Sequence, residues 1–195
     1  DLDHVQLSAG HALISRCWDL AGEYHPAVLH ARTSLAIEQQ AHGSANRHVV
    51  SAQLVLSNIL RDRSRFEPDS LARDAWNKGK ALYSPKEAAF ATLAIGAASS
   101  AFGDDVEILH ALADSLKATV QMDAIGELWY EQRSIMALTN TGRYKEAQKR
   151  TQLLLRKLRT YYPRGDVAFI DCYRELERIH VRLGNKRQTH RYHEK

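Results

Sequence analysis

The sequence predicts an all-α solenoid of about five antiparallel helix hairpins, and three observations carry that prediction. A short phrase recurs: residues 21–27 read Ala-Gly-Glu-Tyr-His-Pro-Ala and residues 141–147 read Thr-Gly-Arg-Tyr-Lys-Glu-Ala. Each sets a glycine, an aromatic two residues on and an alanine three further. Weaker copies at Ser64-Arg65-Phe66, Phe102-Gly103 and Leu183-Gly184 place anchors at Gly22, Ser64, Gly103, Gly142 and Gly184, spaced by 42, 39, 39 and 42 residues. A near-constant period in this range marks a repeat array. Finally, every anchor follows an apolar stretch at helical spacing, and no strand-like alternation runs longer than four residues.

The elements follow in order. The first helix of each unit is expected at 9–20, 50–61, 87–101, 127–140 and 169–183. Leu13, Ile14 and Cys17 share one helix face and are expected to face the core, as are Leu56, Ile59 and Leu60. The anchor glycine closes each helix, because glycine enters the left-handed conformation without strain. Second helices are expected at 26–40, 68–82, 106–120, 145–160 and from 186 onward. Pro26 and Pro68 suit a first helical turn, where the missing N–H costs nothing. Pro85 is expected to open the next helix, and Val167–Ile170 reads as a helix start. Polar connectors fall at 41–47, 83–86, 121–125 and 161–166. One array is expected over residues 1–195, with units near 8–47, 48–88, 89–126, 127–168 and 169–195. The last unit reads as truncated. A hairpin of about 40 residues cannot bury enough apolar area alone, whereas stacked hairpins share one core.

Composition sets further bounds. The chain has 195 residues, 44% hydrophobic and 26% charged, which is ordinary for a folded protein. No apolar run approaches the roughly 18 residues of a membrane span, and no secretory signal is visible. The chain starts at Asp1, which suggests an excised piece of something longer. Cys17 and Cys172 fall in the first and last units, so an internal disulfide is not expected. Both thiols read as core packing, and a cytoplasmic location follows. The net charge of +4 is uneven: residues 141–195 hold 15 Lys/Arg against 6 Asp/Glu, a balance of +9, and residues 1–140 balance at −5. The C-terminal end therefore reads as a docking surface for an acidic partner, or more plainly as a solvated basic face.

These residues resemble the tetratricopeptide repeat (TPR) family. The resemblance rests on Trp18, Gly22, Tyr24 and Ala27; on Ile95, Gly96 and Gly103; on Gly142, Tyr144 and Ala147; and on Tyr173, Leu176, His180 and Gly184. It spans essentially the whole chain. Departures are Asp69 and Ile108 where the family sets a small residue, and a period of about 39–42 residues, which matches its long-helix variants. The resemblance implies a right-handed solenoid whose first helices line a concave groove. Carried over by register, it places Arg16 and Asp19 in that groove. Leu54, Asn58 and Arg61 follow, then Phe90, Leu93 and Ala97. The fourth unit contributes Trp129, Gln132, Met136 and Asn140, and the fifth Arg174, Arg178 and Arg182. Asn58, Arg61 and Asn140 are candidates for the carboxylate clamp that the resemblance implies from some peptide-binding members, with the clamp pattern incomplete. Trp129 and Tyr130 could anchor a ligand side chain or pack between units.

Arg174, Arg178 and Arg182 are spaced by four, so their guanidinium forks share one helix face. Such forks take carboxylates or phosphates bidentately. The competing reading has them solvated or paired with Asp171, Glu175 and Glu177. Chemistry finds no foothold. His25/His30 and His190/His193 lack further ligands at metal spacing, and there is no HExxH. Nucleotide-binding glycine motifs and a GxSxG elbow are missing from the sequence. No cofactor, metal or enzymatic activity is expected. The leading function is a non-catalytic scaffold that binds a protein or peptide, preferably acidic, in its groove. The alternative is the sensor domain of a larger bacterial signalling or transcription-regulatory protein, binding a small effector or relaying to an output domain. Direct nucleic-acid binding through Tyr161, Tyr162, Tyr173 and Tyr192 amid basic residues is a lesser reading. A homodimer through an open array end is a further expectation.

Overall fold

The computed structural model describes residues 2–61, 66–100, 105–163 and 166–193. Among them the helices come in pairs: α1 (Leu2–Ala21) with α2 (Tyr24–His42), α3 (Arg47–Leu60) with α4 (Phe66–Leu82), α5 (Ala88–Ser100) with α6 (Asp105–Lys117), α7 (Ala124–Asn140) with α8 (Tyr144–Tyr161), and α9 (Ile170–Arg182) with α10 (Lys186–His193). A 3-10 turn, Val167–Phe169, leads into α9. The chain divides into two compact units, residues 1–120 with α1–α6 and residues 121–195 with α7–α10.

The recurring glycines do what the phrase implies. Gly22, Gly142 and Gly184 sit at φ of 83°, 78° and 69°. After each, the next amide reaches back five residues: Glu23 N–H to Trp18 O, Arg143 N–H to Leu138 O, and Asn185 N–H to His180 O, all at 2.9 Å. This closure satisfies carbonyls that a helix end leaves open. Anchors Ser64 and Gly103 lie outside the described residues. Helix starts are fixed by side chains where the sequence offers them: Asn46 accepts from His48 N–H at 2.8 Å, and Asp123 from Gly126 N–H at 2.6 Å. Pro26 and Pro68 fall in the first turns of α2 and α4. Pro85 does not open a helix. It stands in a turn closed by Glu87 N–H to Ser84 O, and α5 begins at Ala88.

In the first unit, Ala27, Ala31 and Leu35 of α2 pack against Val49, Leu56, Ile59 and Leu60 of α3. Val50, Ala75, Phe90 and Leu93 form the next layer, with Gly79 of α4 letting Leu93 of α5 approach its backbone. Helix α5 is buried almost all round. Arg47 ties the start of α3 to the end of α4, donating to Leu82 O at 2.7 Å and pairing with Glu87 at 3.0 Å. In the second unit, Ile135, Leu138, Ala147, Leu154, Leu158, Phe169, Leu176 and Ile179 make one cluster.

The expectation for α1 needs correction. Leu13, Ile14 and Cys17 are exposed. The helix instead turns Ser8, His11 and Ser15 inward. Ser8 Oγ lies 3.0 Å from Ser34 Oγ, and His11 Nδ1 lies 2.8 Å from His30 Nδ1. Hydrogen bonds to α2 thus select the polar side of α1 as its packing face.

Candidate functional site

In the first unit the proposed groove residues mostly join helices to one another. Asn58 Oδ1 accepts from Ser100 Oγ at 2.9 Å and Ser99 Oγ at 3.3 Å, while its Nδ2 donates to Leu54 O at 2.7 Å. Arg61 is buried, and its Nη1 donates to Ser99 O at 3.3 Å. Both side chains stitch α3 to α5. Phe90, Leu93 and Ala97 are buried in the core rather than lining a groove. The cause is α5 itself: it offers α3, α4 and α6 apolar or small residues on every side. Arg16 is exposed and Asp19 half-buried on α1.

In the second unit, more of the residues expected in a groove stay accessible. Trp129 is half-buried on α7, with the Arg133 guanidinium 5.0 Å from its ring centre. One turn on, Gln132 Nε2 donates to Asp171 Oδ2 at 2.6 Å, tying α7 to α9. Met136 and Asn140, further along α7, are half-buried. On α9, Arg174 and Arg178 are half-buried and Arg182 is exposed. Arg178 Nη1 lies 3.2 Å from Oε2 of the buried Glu175. Tyr130 is buried and packs rather than presenting itself to a ligand. The structure thus gathers Trp129, Gln132, Arg174 and Arg178 on one pair of helices, α7 and α9. The sequence reading missed Arg133, although its i+4 spacing from Trp129 signals the contact. It missed the Gln132–Asp171 bond as well, although the two residues are 39 apart, one repeat period.

Two other groups help define the chemistry. Cys172 is buried on α9. Burial, joined by the carboxylates of Asp171 and Glu175, pushes its thiol up to about 12, so it stays protonated and poorly nucleophilic. His180 is 4% exposed. Its ring stacks on Tyr192 at 5.6 Å, and its Nε2 lies 3.4 Å from Gln148 Nε2. Burial pushes its imidazole below the ordinary range. The folded chain therefore resists a proton that the unfolded chain takes up below about pH 6.5. This contribution to stability is complete above that pH and declines as pH falls toward the depressed value. His180→Phe removes the linkage, so its stability relative to wild type should improve between about pH 7.5 and pH 5.5. Urea midpoints at the two pH values measure this, and an unchanged difference would count against the linkage.

Beside His180, a cavity of about 420 Å3 opens between α9 and α10, lined by Glu177, His180, Val181, Lys186, Thr189 and His190. Among the described residues, no group of three or more His, Cys, Asp or Glu could hold a metal ion. Within the same residues, no helix is long and apolar enough to cross a membrane.

No family model matches the sequence, and no curated protein matches it. Solved structures do. The TPR-like repeats described for a Podosopora anserina kinesin light chain superpose with a TM-score of 0.55 over 95% of this chain and 91% of that one, at 13% identity. A single-substitution variant of the same protein gives the same values. The fold is TPR-like. In TPR-like terms α1, α3, α5, α7 and α9 are the first helices of their hairpins. The links Asn58–Ser100 and Gln132–Asp171 join successive first helices, and Gly22, Gly142 and Gly184 are the turns within hairpins.

Proposed function

We propose that this chain is a non-catalytic protein- or peptide-binding module that uses the α7/α9 face, with an acidic segment as its ligand. The observation that carries this reading is the placement of Trp129, backed by Arg133, on the helix that Gln132 ties to the arginine-bearing α9. A half-buried tryptophan with an arginine over its ring has the composition of an interface hot spot. The arginine forks suit carboxylates, and the +9 balance of residues 141–195 would speed encounter with an acidic partner. A TPR-like fold supports binding in general terms, because stacked hairpins present extended surfaces. Two free thiols, one of them exposed, fit a reducing, cytoplasmic setting.

The test compares capture of acidic and neutral peptides by wild type, Trp129→Ala and Arg174→Glu/Arg182→Glu, with fold checked by circular dichroism. Each variant is expected to bind acidic peptides at least about tenfold more weakly. Equal binding of acidic and neutral peptides by wild type, or undiminished binding by both variants, would sink the proposal.

One observation favours a second reading. The α9/α10 cavity is of a size that small ligands occupy, roughly 300–1,000 Å3. A small effector bound there would make the chain a sensor domain of a larger regulator. Thermal stabilisation by a small molecule, abolished by Thr189→Trp but not by Trp129→Ala, would select this reading.

A further inference from the structure

Helix α1 turns its apolar side to solvent. Leu7 is 54% exposed, Leu13 68%, Ile14 43% and Trp18 40%, and Cys17 is exposed beside them. A Cβ added to Gly10 would meet nothing within 4 Å. The inward side is closed by the Ser8–Ser34 and His11–His30 bonds to α2, so this apolar side cannot turn in without breaking them. In α3, by contrast, Leu56, Ile59 and Leu60 are buried. The pattern on α1 is that of a buried helix face with nothing yet buried against it.

Leu7, Gly10, Ile14 and Cys17 recur at intervals of three, four and three residues. This is the spacing of a coiled-coil seam. We propose that it is a homodimer interface, in which α1 packs antiparallel on α1 of a second copy. In an antiparallel seam the two alternating positions face each other. Leu7 then meets Cys17 of the second copy, Gly10 meets its Ile14, and Leu13 on the flank meets its own counterpart across the axis.

Size, charge and area all favour a second copy as the occupant. Each layer sets a large side chain against a small one, so Ile14 fills the space that Gly10 leaves. A parallel pair would oppose glycine to glycine and leave a void, which costs packing. Arg16 is the one formally charged residue among residues 5–18, and antiparallel pairing keeps the two copies of it apart. A seam without charge offers nothing to an acidic or basic partner, and antiparallel helices align their dipoles favourably. A seam of this length covers on the order of 1,000 Å2 in total, the lower bound for a specific interface. The dimer is therefore weak and depends on concentration. It does not rest on the α7/α9 face.

Sedimentation velocity of the full chain, from low micromolar to several hundred micromolar, should show monomer passing to dimer. Ile14→Glu should stay monomeric throughout with unchanged helix content, because the residue is exposed in the monomer and the carboxylate would be buried only on pairing. Under mild oxidation Leu7→Cys should give a disulfide-linked dimer with the native Cys17, and Leu7→Cys/Cys17→Ala should not. A wild-type monomer at the highest concentration overturns the proposal, as does a dimer that survives Ile14→Glu. A ready Cys17–Cys17 disulfide in wild type overturns the antiparallel register.

Discussion

Leu176→Ala should cost about 3 kcal/mol and loosen the second unit as a whole. Leu176 is fully buried, in the cluster that also holds Leu138, Leu154, Leu158 and Ile179. Truncating it removes the apolar transfer term and leaves a cavity that rigid helices on every side cannot close. A unit of this size has little stability to spare. Amides of α7–α9 should then exchange faster by on the order of a hundredfold, since each 1.4 kcal/mol is about a factor of ten. Leu153→Ala is the control. Leu153 lies on the solvent side of α8, and its truncation should stay within about 0.5 kcal/mol. The measurements are urea midpoints together with hydrogen exchange. A loss below about 1 kcal/mol for Leu176→Ala would show that α9 does not pack on α7 and α8 as described.

The hairpins were legible because their signals are local. A glycine held at positive φ ends a helix whatever its surroundings, so Gly22, Gly142 and Gly184 could be read without knowing what packs on them. Leu56, Ile59 and Leu60 followed from spacing alone. Helix α1 was misread for the opposite reason. Its apolar stripe is genuine, but which side of a helix packs inward is decided by partners. Here Ser34 and His30 on α2 supplied hydrogen bonds to the polar side. Periodicity scores a stripe, not the chemistry that faces it. Pro85 was misplaced for a similar reason: the Ser84–Glu87 turn, which contains it, takes up the residues before α5.

The candidate site was legible as a set of helix faces and illegible in its detail. Register placed Trp129, Gln132 and the three arginines on first helices, where they are found. It could not foresee that Asn58 and Arg61 would be engaged by Ser99 and Ser100, residues about one period away. Nor could it foresee that α5 would be buried almost all round, withdrawing Phe90, Leu93 and Ala97. Side chains between stacked helices serve either the stack or a ligand, and the choice depends on what the next repeat offers.

That choice can be measured at Arg178. Its guanidinium lies 3.2 Å from the buried carboxylate of Glu175, one turn away on α9. Arg178→Ala should destabilise the chain by about 2 kcal/mol, less than a fully buried pair because Arg178 is itself partly exposed. The cost comes from removing the Arg178 guanidinium from beside a buried carboxylate. Glu175→Gln in the Arg178→Ala background should therefore recover about half of it, since a neutral amide is cheaper to bury. Arg182→Ala, at an exposed position, should change stability by less than about 0.5 kcal/mol. A double-mutant cycle in urea reads the coupling directly. Coupling near 2 kcal/mol assigns Arg178 to the scaffold, and the proposed acidic ligand would then rest on Arg174 and Arg182. Coupling near zero would mean that the Glu175 contact contributes nothing to stability and would remove the reason to assign Arg178 to the scaffold.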